Sequence, residues 1–178
     1  MGSISTPTPV LLLIAVSSRY DDVLAWAEAR ATSEFGPLLL KSAAFDFTET
    51  DYYQSTMGTE LKKQFLAFRN SIDPGKLPQI KRATNDWEQL CADELKHSEP
   101  RPLNLDPGYL TLAKLVLATT KDHAHRIYIS SGIYAEVTLN FRGGNWQKCD
   151  WTYPDYQRDD YQEFFTECRQ KLRVNRTF

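Results

Sequence analysis

Residues 10–16 form an uninterrupted apolar run, Val-Leu-Leu-Leu-Ile-Ala-Val. A run this short and this apolar reads as a β-strand buried on both faces. It falls far short of the ~20 residues that a transmembrane helix needs. With no basic residue before it and no small-residue cleavage site after it, it does not read as a signal peptide. The chain of 178 residues, with 42% hydrophobic and 25% charged positions, can supply a core as one unit. Residues 1–8, rich in Ser, Thr and Pro, read as a flexible tail, and residues 9–178 as a single globular domain.

Helical spacing follows at Leu24, Ala27, Ala31 and Phe35, and Gly36-Pro37 ends it. Residues 38–47 read as a second strand and 48–58 as a polar and aromatic loop. Residues 61–72 fit a helix or a strand. A strand is chosen because the second strand needs a partner. Ile80, Ala83, Trp87, Leu90 and Cys91 make the apolar stripe of a helix opened by Pro78. A short strand is expected at 101–105. Asp106-Pro107 then reads as N-cap and first position of a helix running to about Thr120, with Tyr109, Leu112, Ala113 and Val116 on one face.

Residues 126–139 predict a hairpin around Ser130–Gly132, with Ile129 opposite Ile133, Ile127 opposite Ala135, Tyr128 opposite Tyr134 and Arg126 opposite Glu136. In that register Ile127, Ile129, Ile133, Ala135 and Val137 are expected to face the core. Gly143-Gly144 marks another turn. A final helix carries Tyr161, Phe164, Phe165, Cys168 and Leu172. The expected fold is therefore α+β: a ferredoxin-like (split βαβ) sandwich with an added helix, β-hairpin and C-terminal helix.

The net charge of −2 gives no electrostatic reason for nucleic-acid binding, and neither a nucleic-acid nor a membrane partner is expected. Cys91, Cys149 and Cys168 are widely spaced and show no C-x-x-C, which suits idle thiols in a reducing cytoplasm. Several polar clusters are candidates for ligand binding. Asn104 and Asp106 sit where a helix N-terminus would present free N–H groups to an anion, unless Asp106 itself caps them. Lys121, His123, His125 and Arg126 cluster ahead of the hairpin and suit a phosphate or carboxylate, with His125 as acid or base. The competing reading makes them cations at a helix C-terminus, with Arg126 paired to Glu136. His123 and His125 lack an adjacent carboxylate in the pattern, so no metal site is assigned. Asp46, Asp51, Tyr52 and Tyr53 lie on a loop of the kind that carries binding, or that packs on its own tyrosines. Tyr153-Pro154-Asp155-Tyr156 has the same character and reads as an extended, PPII-like edge that either binds or packs.

Long stretches are distinctive: Phe45-Asp46-Phe47-Thr48, Asp51-Tyr52-Tyr53, Ile80-Lys81, Thr84-Asn85, Asn104-Leu105-Asp106-Pro107-Gly108-Tyr109, Thr119-Thr120-Lys121-Asp122, His125-Arg126-Ile127-Tyr128 and Trp151-Thr152-Tyr153-Pro154-Asp155-Tyr156. In these the chain resembles a bacterial family described as domain of unknown function 4416, over nearly its whole length. The resemblance implies no established chemistry, although members are often labelled GTP-binding proteins. The residues give that label little support. A P-loop needs G-x-x-x-x-G-K-[ST], whereas Ser17-Ser18-Arg19-Tyr20 after the first strand holds no glycine. Two readings follow: a cytoplasmic domain binding a small anionic ligand, nucleotide or phosphorylated metabolite, or a non-catalytic interaction and assembly module.

Overall fold

The computed structural model describes residues 2–175; Met1 and residues 176–178, assigned above to the tail and the domain, lie outside the described residues. The apolar run becomes β1 (Leu11–Ser18), and every residue of it is buried. Alternate side chains explain why. Leu12, Ile14 and Val16 pack under α1 (Asp21–Phe35) and α3 (Leu77–Leu95), while Leu11, Leu13 and Ala15 pack under α4 (Asp159–Asn175). Each fully buried Leu or Ile contributes about 1.5–3 kcal/mol, so β1 anchors both layers.

Around it lie β2 (Leu38–Lys41), β3 (Phe45–Asp46), β4 (Lys62–Phe68), β5 (Asn104–Leu110), β6 (Lys114–Thr119), β7 (Ile127–Ser130), β8 (Ile133–Arg142) and β9 (Asn145–Lys148). They form one antiparallel sheet ordered β2-β4-β1-β5-β6-β8-β7, with β3 beside β4 and β9 beside β8. The α+β class is thus correct. A short helix, α2 (Gln54–Met57), interrupts the loop expected at 48–58. Among the described residues no helix is long and apolar enough to cross a membrane.

The helix expected from Asp106 to Thr120 does not exist; the segment is the β5–β6 hairpin. The Thr111 hydroxyl accepts from the N–H groups of Ala113 and Lys114 and closes the turn. Pro107 fits a strand here for a specific reason. β6 pairs with β5 only from Gly108 onward, so the two strands part at Pro107. The Leu105 N–H and C=O, which share an edge with the Pro107 nitrogen, are satisfied by side chains instead. Glu88 Oε1 accepts from the Leu105 N–H at 2.7 Å, and Lys81 Nζ donates to the Leu105 carbonyl at 2.7 Å. Proline's missing N–H therefore costs no ladder bond. Gly108 stands at the point of closure: a Cβ there would lie 2.2 Å from the Val116 carbonyl oxygen.

In the β7–β8 hairpin, Ile127 pairs with Ala135 and Tyr128 with Tyr134, as expected; at the tip the expected pairing of Ile129 with Ile133 fails, because a register shift after Tyr128 sets Ser130 opposite Ile133. The expectation that Ile127 and Ile129 are core residues fails, since they are 73% and 38% exposed. β7 is the outermost strand, and Leu77 of α3 packs on β6 and β8 instead, so alternation in β7 does not bring burial.

Candidate functional site

The parting of β5 and β6 opens a cleft of about 510 Å³. Its walls come from the separated strand ends, from α3, from the loop at residues 47–53 and from the segment 151–156. Volumes of about 300–1,000 Å³ are usual for small-molecule sites.

The floor is built on buried ion pairs. Lys63 Nζ, on β4, lies 2.5 Å from Asp155 Oδ2, with both side chains 5% exposed. The same ammonium lies 3.8 Å from the centre of the Phe47 ring. Lys81 reaches from α3 to within 3.3 Å of Asp106 Oδ1, and Asn104 Nδ2 donates to Asp106 Oδ2 at 2.7 Å. Burial pushes the Asp106 carboxyl up, but Lys81, Lys63 and Asn104 outweigh it and hold the group below its ordinary value. Arg101 binds Glu88 and Asn104, and burial raises the Glu88 carboxyl above its usual range. Arg126, with its side chain 3% exposed, donates to Glu136 at 2.8 Å, to the Lys121 carbonyl and to the Tyr153 hydroxyl. Glu136 also meets His125 Nε2 at 3.1 Å. Arg126 is thus fixed by Glu136, as the hairpin register implied, while the reading of this cluster as a helix C-terminus falls with the helix.

The rim differs from the floor. Lys121 Nζ donates to the Tyr52 hydroxyl at 2.7 Å and makes no ion pair among the described residues. That hydrogen bond holds the Tyr52 phenol below its ordinary value. His123 and His125 line the same cleft with near-parallel rings 5.9 Å apart, and His125 stacks on Trp151 at 5.1 Å. Among the cleft-lining residues five Lys or Arg side chains face four carboxylates. The deep carboxylates are engaged by deep cations, so the surplus positive charge lies at the rim. No group of three or more His, Cys, Asp or Glu among the described residues is arranged to hold a metal ion.

Of the residues singled out in the sequence, Asn104, Asp106, Lys121, His125, Arg126, Tyr52 and Tyr53 all line this one cleft. Asp46 does not. It lies on β3 opposite Lys62, and its carbonyl accepts from Arg158. The segment 153–156 is no extended edge either, because Pro154–Gln157 is a 3-10 turn whose Asp155 is buried against Lys63. Sequence reasoning missed Lys63, Lys81, Asn85 and Trp151. Three of these carried a readable signal: Lys81 and Asn85 recur with Glu88 at helical spacing on one face of α3. Lys63 shares the alternation of the buried Phe65 and Ala67.

Fold and site together define a class: an α+β protein whose antiparallel sheet parts to hold a polar, aromatic-walled cleft. Comparison with family models places the chain more closely. Residues 8–172 match the family described as domain of unknown function (DUF4416), and the chain belongs to that family. Comparisons with curated proteins and with solved structures gave no match.

Proposed function

We propose that this protein binds a small anionic ligand, a nucleotide or phosphorylated metabolite, in the cleft between β5 and β6. One observation carries the reading: among the described residues the rim cation Lys121 has no carboxylate partner, and two imidazoles line the same mouth of the cleft. Phosphate oxygens suit that triad, with Lys as a point charge and His as donor. The free thiols at Cys91, Cys149 and Cys168 suit a cytoplasmic setting. The order β2-β4-β1-β5, with α1 and α3 on one face, supports reading the first half as a ferredoxin-like unit.

A thermal-shift screen with inorganic phosphate, nucleotides and sugar phosphates tests the binding. A ligand at ~100 times its Kd adds ~2.7 kcal/mol. For a chain of this size that is a rise of about 5–10 °C. Lys121→Ala removes the rise. The reading fails if no phosphate compound shifts the protein, or if the shift survives that substitution together with His123→Ala.

A second reading, a non-catalytic assembly module, is favoured by β7. This outermost strand exposes Ile127 and Tyr128 and carries no charged residue. Uncharged, exposed edges pair with other strands, and a second copy of the chain is the simplest partner. Sedimentation at rising concentration shows a dimer in that case, and Ile127→Lys disperses it. A monomer at all concentrations refutes this reading.

A further inference from the structure

Resting on the ligand-binding reading above, we propose that the ligand is a phosphorylated sugar or polyol, with its phosphate at Lys121 and the histidines and its hydroxyls against Asp106, Asn85 and Tyr156. The inner half of the cleft is equipped differently from its rim. Asp106 is held by Lys81 and Asn104 with one bond to each oxygen, and its side chain is 30% exposed. An ionised carboxylate has about four acceptor positions, so at least two remain open. Asn85 lines the same wall, one helical turn beyond Lys81, and its amide makes no hydrogen bond among the described residues. Tyr156 also lines the cleft, is 2% exposed, and its buried hydroxyl has no partner. Burial keeps that phenol protonated and able to donate.

A buried hydroxyl without a partner is costly, and such groups are normally satisfied by a bound molecule or water. Unoccupied acceptors on a carboxylate, an unengaged amide and an orphan phenol call for a ligand that both donates and accepts at several points. A polyhydroxylated chain does so. The ring faces point the same way. The Trp151 face lies against His125, with rings 10° from parallel, and the Phe47 face carries the Lys63 ammonium. Two of the cleft's aromatic faces are thus already engaged, which leaves fewer on which a nucleobase could stack.

Isothermal titration with inorganic phosphate, glycerol 3-phosphate, ribose 5-phosphate, glucose 6-phosphate, AMP and GMP is the test. A sugar or polyol phosphate is expected to bind about 10-fold or more tighter than inorganic phosphate, the size of one charged hydrogen bond. Asp106→Asn and Asn85→Ala each remove most of that gain, whereas Lys121→Ala weakens inorganic phosphate as well. Asn85 has no bond to lose, so its variant reports even where the Asp106 variant folds poorly. Sugar phosphates binding no tighter than inorganic phosphate, or nucleotides binding tighter than all of them, overturn the inference and leave the ligand-binding reading intact. Failure of every phosphate compound to bind overturns both.

Discussion

Gly108→Ala tests whether the β5–β6 closure depends on the absence of a side chain. The added Cβ would stand 2.2 Å from the Val116 carbonyl oxygen, 2.8 Å from Leu117 Cδ2 and 3.2 Å from Leu117 Cα. Ordinary contact begins at 3.4 Å, so the backbone must yield by about 1 Å. Val116 is held between Tyr109 on one side and Val137 on the other, and cannot move alone. Forcing an extra carbon into such a site costs about 1–3 kcal/mol. Each backbone hydrogen bond stretched away adds about 0.5–1.5 kcal/mol. The lower entropy of the unfolded alanine chain returns only about 0.4–1 kcal/mol. The net loss is about 2–4 kcal/mol, or about 5–15 °C in Tm for a chain of this length. Urea unfolding followed by circular dichroism measures it. Gly75→Ala is the control, because its Cβ meets nothing nearer than the movable Asp73 carboxylate at 3.2 Å. A loss below about 0.5 kcal/mol, the range of an ordinary surface change, would refute the reasoning.

Glu136→Gln leaves the buried Arg126 guanidinium without its carboxylate, and a loss of about 3–5 kcal/mol is expected in the same urea assay. A loss under 1 kcal/mol shows that Tyr153 and the Lys121 carbonyl suffice. Asp106 contributes to the pH dependence of stability. Its carboxyl is held below its ordinary value in the fold, so its contribution is full above the unfolded value of about 3.9 and fades as pH falls through the lower folded value. Stability of the parent minus that of Asp106→Asn, measured from pH 7 to pH 3, should shrink in acid. A constant or growing difference contradicts the assignment.

Much of the fold is legible where local pattern and final packing agree. The run 10–16, the stripe at Ile80, Trp87 and Cys91, and the pairing of Ile127 with Ala135 are all recovered. The segment 106–120 is misread because Asp-Pro opens helices, and Tyr109, Leu112, Ala113 and Val116 keep helical spacing. Its strand character rests on long-range pairing: β5 has β1 as a partner along its whole length, which no local window contains. That error also hid the site. A helix of 14 residues would hold Asn104 and Lys121 about 21 Å apart. A hairpin instead returns Thr119 toward the level of Asp106 and brings both clusters to one mouth. The faces of β7 were misjudged for a related reason: alternation tells which side chains share a face, not whether a helix extends far enough to cover them. Lys63 was passed over because a lysine in an apolar strand ordinarily marks a solvent side, and its buried partner Asp155 lies 92 residues away.

Three residue pairs join β5 to β6, against seven between β1 and β5 and six between β6 and β8. This makes the junction a seam in an otherwise continuous sheet. One end is stitched by Gly108, Tyr109 and Leu110. Across the back, α4 acts as a strap, since Phe165 packs against both Phe65 on β4 and Trp146 on β9. The remaining end is the cleft, where Asp106 stands on one lip and Lys121 on the other. A molecule seated there is also a clasp. Its affinity and the mechanical integrity of the sheet become the same quantity, so amides on both lips should gain protection from hydrogen exchange together when the cleft is filled.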